Sequence, residues 1–133
     1  MRLGNIHRIE LPTPYRVGPV NVYLIDRKPR TLIDCGPNTR RAREALERGL
    51  GELGFSYRDI DRVVITHAHA DHFGQAARVL EESGASLVLH PLEWPKVQSG
   101  YRFFGERLEV FRLAGMPKGH IQMLSATDSI ERR

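Results

Sequence analysis

The first third of the chain is written in short runs of period two. "NIHRIEL" (Asn5–Leu11) places Ile9 and Leu11 two apart; Ile6, Arg8 and Glu10 do not sort cleanly, and the run predicts a short edge strand. After the turn-rich "PTPYRVGP" comes "VNVYLID", with Val20, Val22 and Leu24 on one face. "RKPR" then leads into "TLID", predicted as its antiparallel partner. "CGPN" breaks the sheet, and the period changes. Ala42, Ala45, Leu46, Leu50 and Leu53 keep helical spacing, so a helix is predicted over Arg40–Leu53, capped by Asn38 or Thr39 and ended by Gly54.

"SYRD" pairs Ser56 with Asp59 in a capping-box pattern for one helical turn. "RVVIT" reads as a buried strand of β-branched residues, followed by a helix over Gly74–Glu82, a stop at "SGA" and a strand "SLVLH". Strand, loop, helix, strand is a βαβ-like unit, and α/β sheets carry their sites at the carboxyl ends of such strands. From Pro91 the pattern turns helical again. Trp94, Val97, Tyr101, Phe104, Leu108 and Phe111 form a stripe, crossed by Gly100 and Gly105, that reads as core packing or as the wall of a substrate pocket. "AGMPKG" breaks it, and "HIQMLSATDSIERR" predicts a further short helix.

A length of 133 residues allows one modest domain, and 41% hydrophobic with 27% charged residues is the balance of a globular chain. No run of about 18 apolar residues is present, so no membrane-spanning helix is predicted. The N-terminus lacks the apolar stretch of a signal peptide and Cys35 is the single cysteine, which together predict a cytoplasmic protein. The net charge of +4 comes from 20 basic and 16 acidic residues, interleaved as in "RRAREALERGLGE". Interleaving of this kind marks a solvated helix face rather than a nucleic-acid footprint.

One segment carries the chemistry. "ITHAHADHFGQ" (Ile65–Gln75) gathers three of the six histidines and an aspartate. Neutral imidazole and carboxylate are ligands for zinc, iron or manganese. In extended backbone His67 and His69 face the same side and can grip one ion, while Asp71 and His72, where the chain turns into a helix, aim at a second point nearby. Ala68 and Ala70 let the backbone curl closely, and Gly74 relieves crowding at the helix start. The spacing suits two ions about 3.5–4 Å apart with a bridging hydroxide as nucleophile. His7, on the first strand, is expected to be structural. Asp34 can cap the "CGPN" turn.

"THAHADH" matches residue for residue the T-H-x-H-x-D-H motif of the metallo-β-lactamase fold superfamily, which this chain resembles over roughly Ile6–His90. "VNVYLID", "TLIDCG" and "DIDRVVITHAHADHFGQ" are similar to its opening strands and central block. The resemblance implies an α/β fold, the αββα sandwich, of which this chain supplies the N-terminal half. It also implies a helical insertion from about 91 to 133, similar to that of glyoxalase II-like hydrolases. His67 and His69 would bind a first metal, and Asp71 and His72 a second, zinc being the expected ion. Asp34 would lie beside the metals and fix the histidine loop, as an alternative to capping the turn. The family's third histidine, bridging aspartate and last histidine have no clear counterpart. Gly119-His120 lacks its flanking pattern, and His90 at a strand end is the other remaining candidate ligand.

The expectation is therefore the N-terminal part of a metal-dependent hydrolase. Metal-bound hydroxide would attack a thioester, ester or lactone of a small-molecule substrate, with Asp71 passing the proton onward. A metal-dependent nuclease and a non-catalytic domain that binds metal or a partner chain are the alternatives. Without the remaining half, or a partner chain over it, the sheet is expected to expose Val22, Leu24 and Ile33.

Overall fold

The computed structural model describes residues 2–99. A six-stranded sheet runs in chain order: β1 (Arg2–Leu3), β2 (Ile6–Leu11), β3 (Val20–Ile25), β4 (Thr31–Ile33), β5 (Arg62–Ile65) and β6 (Ser86–Leu89). The first four strands are antiparallel neighbours, and β4, β5 and β6 are parallel. The change in sense falls where the connections lengthen from short loops to helical crossovers, as parallel pairing demands. β2 is not the edge over its whole length, because β1 pairs with it at Ile6 and His7.

Helix α1 (Arg40–Glu52) links β4 to β5, with the Thr39 side chain accepting from the amide of Ala42. Gly54, with φ +83, takes the left-handed residue after its end. A 3-10 turn over Tyr57–Asp59 follows, its Ser56–Asp59 capping box in place. Ala42, Ala45, Leu46 and Leu50 of α1 are buried with Ile9, Leu11, Val20, Val22, Leu24, Leu32 and Val63. Gly49 permits the approach: a Cβ there would lie 2.5 Å from Ile9 Cγ2.

This packing corrects the expectation about the open face. Val22 and Leu24 are fully buried, because the register that aligns them with Ile9, His7 and Leu32 turns them toward α1. The opposite face carries half-buried Tyr23, Ile25, Ile33 and Val64 and exposed Val88. Of the three residues expected on the open face, only Ile33 lies there.

The helix expected over Gly74–Glu82 is present as α3 (Ala76–Ser83), and a separate short helix, α2 (Ala70–Phe73), precedes it. The join has a specific cause: the Gln75 amide donates to the Gly36 carbonyl instead of continuing α2. Arg78 ties α3 to α1 through Glu47 at 2.7 Å and bonds Glu82 on its own helix at 2.6 Å. Residues up to Glu93 form one compact unit, and a second begins at Trp94. The described part of the second is the short helix α4 (Trp94–Ser99), which carries Trp94 and Val97 of the expected stripe. The stripe from Tyr101 to Phe111 and the helix expected from His120 lie outside the described residues. Among the described residues no helix is long and apolar enough to cross a membrane.

Candidate functional site

The carboxyl ends of the parallel strands β4 and β5 meet at the histidine loop. β5 ends at Ile65, and the backbone of Thr66–His69 leaves the sheet before α2 begins with His69 as its N-cap. Beside it, β4 ends and Asp34 takes a left-handed conformation with φ 60, its amide donating to the Val64 carbonyl. A non-glycine residue there is uncommon, although aspartate tolerates it better than most. The conformation turns the buried carboxylate toward the loop. Its Oδ1 accepts from the Thr66 amide at 2.8 Å, the Thr66 hydroxyl donates to it, and its Oδ2 lies 2.9 Å from His72 Nδ1.

Those contacts set the tautomers. A carboxylate only accepts, so His72 carries a proton on Nδ1, and in the neutral ring this leaves Nε2 with its lone pair. The Thr66 hydroxyl has one proton, given to Asp34, so toward His67 Nδ1 at 2.9 Å it accepts. His67 is therefore also protonated on Nδ1 and presents Nε2. One buried carboxylate thus prepares two imidazoles, directly in one case and through a hydroxyl in the other.

The rings share one place. The His67 centroid is 4.2 Å from that of His72 and 4.7 Å from that of His69, with the His67–His69 pair edge-to-face. Asp71 Oδ2 lies 3.5 Å from His72 Nε2. Among the described residues, no group of three or more His, Cys, Asp or Glu side chains is disposed to hold a metal ion. The donor chemistry nevertheless fits a metal of the zinc type: nitrogens with their second ring position hydrogen-bonded, and a carboxylate beside them.

The loop is tied to the Cys35–Asn38 turn by backbone. The amides of Cys35 and Gly36 both donate to the His72 carbonyl, and Gln75 Nε2 donates to the Cys35 carbonyl at 3.0 Å. Gly74 allows the two segments to touch, since a Cβ on it would lie 2.6 Å from the Asn38 amide nitrogen. The Cys35 thiol is buried, and desolvation, reinforced by the neighbouring Asp34 charge, pushes its pKa above the ordinary thiol range.

Of the other histidines, His7 is buried on the α1 side of β2. His90 is exposed after β6, where its Nδ1 accepts from the Leu92 amide and its carbonyl accepts from the Glu93 amide. His120 lies outside the described residues. Sequence reasoning misses Thr66, Gln75 and Glu93. Thr66 and Gln75 sit inside the motif stretch, but neither is a metal ligand, so ligand chemistry does not single them out. Glu93, whose carboxylate accepts from the Ala68 amide at 2.8 Å, offers no local signal, as its partner lies 25 residues away.

Comparison with known proteins places these observations. The family model of the metallo-beta-lactamase superfamily matches residues 15–129. The probable metallo-hydrolase YqjP of Bacillus subtilis (strain 168) is 46% identical over 112 residues, a match covering 84% of this chain and 34% of that protein. The chain thus spans about a third of that relative's length. Among solved structures, a metallo-beta-lactamase family protein from Thermus thermophilus superposes with a TM-score of 0.74 at 29% identity, covering 92% of this chain and 42% of that one. BJP-1, a subclass B3 metallo-beta-lactamase of Bradyrhizobium japonicum, gives 0.57 at 28% identity over 69% of this chain and 32% of its own.

Proposed function

The chain belongs to the metallo-beta-lactamase superfamily, and from that premise we propose that it supplies the histidine-loop half of the active site of a metal-dependent hydrolase. The observation that carries the reading is the pair of imidazoles, His67 and His72, whose Nδ1 positions are both engaged through Asp34, leaving both Nε2 atoms for a metal.

In this reading His67 and His69 hold one ion, and Asp71 and His72 a second. Zinc is the favoured ion, because imidazole nitrogen and carboxylate suit it, and iron or manganese would be accepted by the same donors. When bound, the ions supply Lewis acidity and activation of water. Asp34 orients the imidazoles and raises their basicity. Asp71, partly exposed beside His72, is placed to take up and hand on the proton of the attacking nucleophile.

The substrate class we favour is a small thioester, ester or lactone. Lys28, Arg30, Arg40 and Arg78 are paired with nearby carboxylates, and the arginines of α1 are interleaved with glutamates, a pattern that favours a solvated surface over a cationic track for a polyanion. Ligands beyond the four named here would come from chain outside residues 2–99. Assay of the full-length protein on a thioester and lactone panel, with and without chelator, tests the reading. Hydrolysis that disappears with chelator and returns with zinc is expected; turnover indifferent to chelator would sink it.

A further inference from the structure

We propose that Glu93 is a positioning residue for the histidine loop, clamping the peptide between His67 and His69 and so setting the bite of that pair. The proposal rests on the reading that His67 and His69 hold a metal.

The pairing of β5 with β6 ends at Ile65 and Leu89, so the amide of Ala68 lies beyond the ladder and needs a partner from elsewhere. It finds one in Glu93 Oε2, at 2.8 Å. A carboxylate acceptor makes this bond stronger than a neutral one. Because β6 runs parallel to β5, its carboxyl end emerges on the same side as the histidine loop. The chain then turns through His90–Glu93, and His90 shapes that turn twice: its carbonyl accepts from the Glu93 amide at 2.9 Å and its Nδ1 from the Leu92 amide at 3.2 Å. His90 thereby serves the loop through Glu93.

The consequence is geometric. Ala68 is the one residue between the two histidines, so holding its amide restrains the peptide plane from which the backbone leads to both rings. Asp34 grips the loop at Thr66 and His72, which flank the pair on either side. Between those grips the His67–Ala68–His69 segment has a described side-chain anchor in Glu93. An alanine at 68 has no side chain with which to supply its own.

The test is zinc affinity of the full chain by competition with a chromophoric chelator, together with the visible spectrum of the cobalt form and the unfolding midpoint of the metal-free protein. Glu93→Ala should weaken zinc binding about tenfold or more, the range found when groups supporting metal ligands are removed, and alter the cobalt spectrum. Glu93→Gln, which keeps an acceptor oxygen at the same reach, should restore both. Wild-type affinity in Glu93→Ala would overturn the proposal. So would a loss accompanied by an equal fall in metal-free stability and no rescue by glutamine, since that describes a merely structural residue. Should Glu93→Ala not fold, Glu93→Asp decides: one methylene short, it should bind zinc weakly, and wild-type affinity in it refutes the clamp. Absence of zinc binding in the wild type would instead fell the metal reading itself, and the clamp with it.

Discussion

Asp34 and His72, 38 residues apart, meet at 2.9 Å between a carboxylate oxygen and Nδ1, and the contact depends on the left-handed backbone of Asp34. A residue in that conformation costs free energy and persists where its surroundings hold it. Here the surroundings are the Val64 carbonyl behind its amide, and Thr66 and His72 ahead of its carboxylate. The strand end is bent in order to aim one side chain.

Asp34→Ala removes the carboxylate and leaves a residue that tolerates φ 60 poorly, so a loss of about 2–3 kcal/mol is expected. Asp34→Asn keeps the left-handed preference and the Thr66 acceptor but no longer offers His72 a charged partner. Its stability should stay near wild type while metal affinity falls about tenfold or more. Denaturant unfolding and a zinc titration separate the two effects, and an asparagine variant with undiminished affinity would contradict the role given to Asp34.

His69 and His7 should behave oppositely. His69 is exposed and sits at the start of α2, so His69→Ala should lower bound metal and turnover together with little change in stability. His7 is 8% exposed and faces the α1 side opposite Leu24. His7→Ala should leave metal content alone and cost about 1–2 kcal/mol of stability. Metal analysis alongside thermal unfolding would expose any exchange of these roles.

Cys35 predicts an alkaline limit. Its folded thiol pKa is raised, chiefly by burial and then by the Asp34 charge, and Tyr57 is pushed up to about 12 by burial and Glu47. Below an unfolded thiol pKa of about 8.5 both states are protonated and the thiol contributes no pH dependence. Above it the unfolded chain ionises while the folded one does not, so stability falls as pH rises; Tyr57 adds the same sign from about pH 10. Unfolding midpoints between pH 7 and 11 should show this slope, and Cys35→Ala should flatten its first part. The thiol should react with a disulfide reagent only as fast as the protein opens.

The histidine loop is legible in the sequence because its ligand types are crowded into consecutive positions, and α1 because Ala42 to Leu50 keep a strict period. That Asp34 grips the loop follows from the family resemblance and not from any local pattern, since its contacts cross from β4 to positions 32 and 38 residues on. Glu93 escapes local reading for the same reason. The facing of the sheet departs from expectation at Val22 and Leu24 because period two shows that alternate residues share a face, never which face a helix will cover. The covering is decided by α1, which lies across the His7–Ile9–Leu11 side. The break between α2 and α3 at Gln75 likewise follows from a long-range bond to Gly36 that no local pattern contains.

Gly74→Ala should damage the site while sparing the core. The residue is helical with φ −54, so backbone strain is not the issue. Space is: the new methyl would press on Asn38 and on the Ala70 carbonyl, at 2.6 and 2.5 Å. Since those atoms are backbone, the Cys35–Asn38 turn and α2 must separate, which pulls the His72 carbonyl from the amides of Cys35 and Gly36. Overpacking of this kind costs about 1–3 kcal/mol. Zinc affinity should fall with it, whereas the α1 packing around Leu46 should persist in amide exchange. Undisturbed zinc binding would show that the two segments need not touch.

The second face of the sheet predicts association. Tyr23 pairs with Ile33, Ile33 with Val64 and Val64 with Val88, so four apolar side chains cross β3 to β6 in one row, flanked by Ile25. None is fully buried, and Val88 is 44% exposed. Contiguous apolar rows on a sheet face promote association when nothing covers them. The 133-residue chain on its own should therefore self-associate; with His67, His69, Asp71 and His72 divided between two ions it should also hold zinc weakly, because catalytic zinc usually has three protein ligands. Replacing Ile33 and Val64 together by threonine keeps β-branching on this face and should reduce the association without unfolding α1. Val22→Thr, on the buried face, should instead destabilise the fold by placing a hydroxyl in the core. Light scattering across a concentration series, with zinc analysis of the same samples, decides: a monomer at every concentration carrying two tightly held ions would show that this row needs no cover and that the four ligands suffice.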